Sequence, residues 1–114
     1  MEATILKGDT VLGTGVIQHL DPPMGVAFGP FTPSRRYSAY LHANTMDGEY
    51  LGDKATDFNA LVDGAPVQAA AIAIEDWSKS LGEFHFTIWF REGKEYDPLF
   101  RDHADFKAYY PDAR

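Results

Sequence analysis

The sequence predicts one α+β domain over residues 1–114: a mainly antiparallel sheet of about five strands, with a short C-terminal helix packed on one face. Three observations predict it. Glu83-Phe84-His85-Phe86-Thr87-Ile88-Trp89-Phe90 alternates with period two, placing Phe84, Phe86, Ile88 and Phe90 on one face; aromatic and β-branched residues at that spacing make a half-buried strand. An Asp63-Gly64 pair follows the apolar run Phe58–Val62, and such a pair suits the positive φ angles of a type I′ hairpin turn. Near the C-terminus the period changes, with Leu99, His103, Phe106 and Tyr110 recurring at helical spacing.

Taken in chain order, Thr4–Leu6 begins the sheet. Thr10–Leu12 and Val16–Leu20 are strand segments interrupted by Gly13-Thr14-Gly15. Paired glycines inside a strand pattern mark a bulge or a close backbone approach. Residues 33–43 are open between helix and strand, since Tyr37, Tyr40 and Leu41 suit a helical turn while Tyr37, Ala39 and Leu41 suit a strand. Residues 66–77 are also two-sided. A helix would line up Val67, Ala70, Ala71, Ile74, Trp77 and Leu81 but leave Ile72 on its polar side. A strand puts Gln68, Ala70, Ile72, Ile74 and Asp76 on one face and forms a hairpin with Glu83–Phe90. The strand is preferred, giving a three-stranded meander from about residue 57 to 90. Asp97-Pro98 offers an N-cap with proline at the first helical position, Pro111 ends the run, and a helix is expected over 98–110.

Composition narrows the function classes. The chain carries 17 acidic against 10 basic residues, a net charge of −7. An acidic surface repels phosphate backbones, so no nucleic-acid partner is expected. No apolar run approaches the ~20 residues that span a bilayer, and the N-terminus lacks a basic segment followed by an apolar one. The expectation is a soluble cytoplasmic protein with no membrane association. The chain has no cysteine, which removes disulfides, thiolate zinc sites and cysteine nucleophiles.

Catalytic and cofactor motifs fail on inspection. Gly8 and Gly13 have the P-loop gap, but Thr14 and Gly15 follow where a lysine is needed. From Gly13 and Gly15 the third glycine of a dinucleotide fingerprint would fall on Gln18. His19, His42, His85 and His103 show no paired ligand spacing. Asp47, Gly48, Asp53 and Asp57 lack the spacing of a calcium loop and read as turn residues. No catalytic residue, no metal and no cofactor is expected.

The stretch His19–Tyr37, HLDPPMGVAFGPFTPSRRY, holds four of the seven prolines. Its prolines restrict the unfolded chain, so it loses little entropy on ordering. Met24, Phe28 and Phe31 are too apolar for a solvated loop. They either close over the sheet as core, or remain exposed beside Arg35, Arg36 and Tyr37 as a docking surface, since Arg, Tyr and Met are enriched at interfaces. His19 and Asp21, two apart, could share a strand face and position a base or a ligand. The candidate binding residues are therefore His19, Asp21, Met24, Arg35, Arg36 and Tyr37. The leading expectation is a non-catalytic module, immunity- or adaptor-like, that binds a protein partner. The alternative is a small-molecule binder or small enzyme with a pocket near residues 19–37. Oligomeric state and the identity of any ligand are left open.

Overall fold

A computed structural model describes residues 1–91 and 93–111. Strands β1 (Glu2–Lys7), β2 (Thr10–Val16), β3 (His19–Asp21) and β4 (Val26–Pro33) open the chain. A short helix, α1 (Ala39–His42), precedes β5 (Thr45–Met46), β6 (Glu49–Tyr50), β7 (Asn59–Val62), β8 (Ala65–Val67), β9 (Ala69–Trp77) and β10 (Glu83–Phe90). Helices α2 (Gly93–Phe100) and α3 (Ala104–Tyr109) follow. The strands form one mixed sheet in the order β6-β5-β9-β10-β4-β2-β1-β7-β8, with β3 also paired to β4. All pairs are antiparallel except β5 with β9. The five-strand expectation is thus too low, because β5, β6 and β8 are two or three residues long and carry no periodic signal.

Strand β4 joins the two halves of the sheet. On one edge it pairs with β10 from Val26 to Pro30. On the other it pairs with β3 through Val26–Phe28 and with β2 through Phe31–Pro33. Between the last two ladders the register slips by one, from Gly15↔Phe31 to His19↔Phe28, so Val16–Gln18 bulge opposite Gly29–Pro30. That bulge presses the Val16 carbonyl oxygen onto Gly29, where a Cβ would sit 1.9 Å away. Gly15 has the same character, since its Cβ would lie 2.3 Å from the Phe86 ring. Gly13 and Gly15 thus mark the close approach expected of paired glycines in a strand, Gly13 against the Thr32 carbonyl and Gly15 against Phe86, whereas Gly29 lies in a stretch whose prolines read as a loop.

The period-two reading of β10 and the strand reading of β9 hold. Ile72, Ile74 and Asp76 on β9, and Phe86 and Ile88 on β10, point into the core together with Ile5, Leu12 and Val62. Each fully buried aliphatic side chain contributes about 1.5–3 kcal/mol of transfer free energy. Asp63 and Gly64 have φ of 49° and 84°, and the turn joins β7 to β8 in register. The meander breaks beyond it. Residue Gln68 separates β8 from β9; β8 pairs with β7 alone, while β9 pairs with β10 and β5.

The single helix expected over 98–110 is two helices. Pro98 lies inside α2 rather than at its start, and the break at residues 101–103 resets the phase. His103 caps α3, its Nδ1 accepting the Asp105 N–H at 3.0 Å. The buried face is Tyr96, Phe100 and Phe106, packed on Phe90 and on one another. The Tyr96 hydroxyl donates to the Val26 carbonyl at 2.9 Å, which ties the helices to β4.

Candidate functional site

Pairing between β4 and β10 ends at Pro30 and His85. Beyond that point β4 continues on β2 alone and β10 on β9 alone. Phe31 and Phe84 would be the next pair in register, but the strands diverge there, and Tyr37 packs against both rings. Its ring centroid is 6.2 Å from Phe31 and 5.7 Å from Phe84, edge-on to each. An open groove of ≈ 700 Å³ lies in this fork, lined by Gln18, His19, Phe28–Pro33 and Gly82–His85. Its surface is mainly aromatic and proline. Polar side chains also line it: His85 Nε2 is 3.1 Å from Glu83 Oε2, and His19 Nδ1 is 3.4 Å from Asp105 Oδ2.

A polar cluster anchors the region from below. The Tyr37 hydroxyl donates to Asp76 Oδ2 at 2.7 Å, and the Ser78 N–H donates to Asp76 Oδ1 at 2.9 Å. Asp76 is 3% exposed. Burial pushes its pKa up, but the Ser78 and Tyr37 hydrogen bonds and the Lys79 charge outweigh that and hold it below the usual carboxylate value. Burial, the bond to Asp76 and its charge push the Tyr37 hydroxyl far up. His42, 6% exposed, accepts the Ser38 N–H on Nδ1 at 2.9 Å and packs against Tyr37 and Phe58. Burial, with Lys7 and Lys54 nearby, lowers its pKa.

The six candidate residues do not form one site. Arg35 and Arg36 are exposed on the turn after β4, beside Asp9–Val11 and Ser34. Among the described residues neither guanidinium lies within ion-pair distance of a carboxylate; the side chains that do approach one are His19 and His85. Tyr37 does not join them at the surface. It turns inward because its ring finds aromatic partners and its hydroxyl finds Asp76. Met24 is 64% exposed in the single 3₁₀ turn Pro22–Met24, so it neither covers the sheet nor lines the groove. Of the residues expected to close over the core, Phe31 is buried and Phe28 half-buried at the groove. His19 and Asp21 are both exposed on β3; His19 contacts Asp105 rather than Asp21. The Leu20 N–H, with His103 and His19 close by, holds Asp105 below the usual carboxylate range.

The sequence reading missed Phe84 and the Gly82–His85 wall of the groove. No local signal marks them, because the fork is made where two strands distant in sequence stop pairing. Among the described residues no set of three or more His, Cys, Asp or Glu side chains converges as metal ligands, and no helix is long and apolar enough to cross a membrane. No protein-family model matches the chain, and neither does any curated protein or solved structure.

Proposed function

We propose that this chain is a non-catalytic protein-binding module whose docking site is the fork between β4 and β10. The observation that carries the reading is the groove itself: open-sided and lined by Phe28, Pro30, Pro33 and Phe84 together with the polar side chains of His19, Thr32, Glu83 and His85. Open surfaces that combine apolar and polar side chains are the anatomy of protein interfaces, whereas small-molecule sites enclose most of their ligand around convergent polar groups. The geometry of an extended ligand also fits, because the fork exposes strand segments that have no ladder partner across it.

A photo-crosslinking amino acid placed at Thr32, exposed in the groove, tests this in cells. The same amino acid at exposed Lys107 on α3 is the control. A discrete protein adduct from position 32 and none from position 107 is expected. Equal labelling at both positions, or labelling at neither, would reject the groove as a protein-docking site.

A further inference from the structure

We infer that the partner segment is a short extended peptide with apolar residues followed by an acidic group, and that Arg35 and Arg36 take the acidic group. The inference rests on the groove being a protein-docking site and names what fills it. Three observations carry it. The first is length. The β4 wall beyond its last pair with β10 is Phe31–Pro33, three residues of strand or about 10 Å at ~3.3 Å per residue, which fits a short extended segment.

The second is continuity. Pro33 ends the groove wall, and Ser34, Arg35 and Arg36 follow at once in the chain and line a separate surface hollow with Asp9, Thr10 and Val11. Arg35 and Arg36 stand two and three residues past Pro33, so the acidic end of the occupant is assigned to this end of the wall. The turn that carries them is fixed: the Ser34 hydroxyl donates to the Val11 carbonyl at 2.6 Å and accepts the Arg36 N–H at 3.2 Å, while Tyr37 is pinned to Asp76 immediately afterwards.

The third is charge. Carboxylates outnumber cations 17 to 10 in the chain, yet among the described residues none lies within ion-pair distance of Arg35 or Arg36. Asp9 lines the same hollow without pairing. Two adjacent guanidiniums without an internal partner form a local positive end in an otherwise acidic molecule. Guanidinium binds carboxylate and phosphate through paired N–H donors, so the complementary feature on the occupant is an Asp, a Glu or a terminal carboxylate.

A displayed library of random octapeptides, selected on the full chain, tests the inference. Enrichment of apolar residues followed within a few positions by Asp, Glu or the free C-terminus is expected. In the selected peptide, replacing the acidic residue by alanine and making R35A/R36A should each weaken binding about tenfold. The two changes together should weaken it no further than either alone, because both remove one contact. R35E/R36E should move the selected preference to Lys or Arg. Apolar enrichment without an acidic position, or with an acidic position that R35E/R36E leaves unchanged, overturns the arginine assignment while leaving the docking groove standing. No enrichment on the wild-type chain, or self-association through the groove in sedimentation, overturns the docking reading and this inference together.

Discussion

Residue Tyr37 shows how one side chain couples the fork to the core. Sequence chemistry placed it with Arg35 and Arg36, because Arg and Tyr share a preference for interfaces. A buried carboxylate far along the chain claims it instead, and nothing local to SRRY signals that. In Tyr37→Phe the ring packing stays and one hydrogen bond to Asp76 is lost. Leaving a buried carboxylate short of a donor costs about 1–3 kcal/mol. Asp76 has a lowered pKa in the folded protein, so its contribution is complete above the ordinary value of 3.8 and is lost as pH falls through the folded value. Urea melts should therefore show a full stability gap between wild type and Tyr37→Phe at pH 7 that narrows below pH 3.8. A gap that does not change with pH would mean that the hydroxyl does not serve the ionised carboxylate. His42 makes a second test. Its Nδ1 is an acceptor, so protonation would turn a donor against the Ser38 N–H. With a pKa lowered from 6.5 by burial and two lysines, the neutral ring supports folding fully above 6.5, and the support declines as pH falls toward the folded value. The imidazole carbon shifts in NMR should titrate with a midpoint below 6.5; a midpoint at or above it contradicts the buried, Ser38-bound ring.

At the scale of elements, periodicity served the long strands well and the short pieces poorly. β9 and β10 have nine and eight residues, enough for alternation to declare a face. β5 and β6 have two residues each, and no pattern can be read from two. Their turn was readable all the same: Asp47 and Gly48 have φ of 50° and 86°, the same geometry as Asp63-Gly64, and a uniform application of the Asp-Gly rule would have marked this hairpin. The C-terminal helix failed for a different reason. The helical spacing of apolar residues runs on through residues 101–103, where the chain leaves one helix and His103 caps the next. The bulge of β2–β3 against β4 is the element on which the fork depends, since it lets one strand edge serve two ladders. Gly29 permits it by giving way to the Val16 carbonyl oxygen, which would lie 1.9 Å from a Cβ. Backbone cannot yield as a flexible side chain does, so Gly29→Ala should destabilise by at least the ~1–3 kcal/mol typical of overpacking. It should also disturb the amide resonances of Val16–Gln18 before those of distant β7. A melting temperature equal to wild type would place the Val16 carbonyl elsewhere.

For the whole molecule, the consequence of the topology is cooperativity. The outermost strands β6 and β8 are short, and β8 contains Pro66. Short, proline-bearing edges resist pairing with other chains. Between them the sheet has two wings, β8-β7-β1-β2 and β6-β5-β9-β10, and β4 is the strand hydrogen-bonded to both. The sequence could not disclose this, because β4 was concealed in a proline- and glycine-rich stretch that reads as a loop. Its Pro30 and Pro33 are tolerated where a ladder changes partner, and its Gly29 where the bulge crosses. The wings also share one buried cluster, in which Ile5 and Val62 of the first meet Ile74 and Ile88 of the second. Unfolding either wing would strip β4 of a ladder and open that cluster, so neither wing has an independent core. Native-state hydrogen exchange should therefore give the interior amides of β1 and of β10 the same opening free energy, equal to that from global unfolding. The two-residue strands β5 and β6 should exchange earlier, through local opening that leaves β4 intact. If β1 exchanged well ahead of β10, with denaturant sensitivity matching only part of the molecule, β4 would be a seam between two folding units rather than the strand that unites them.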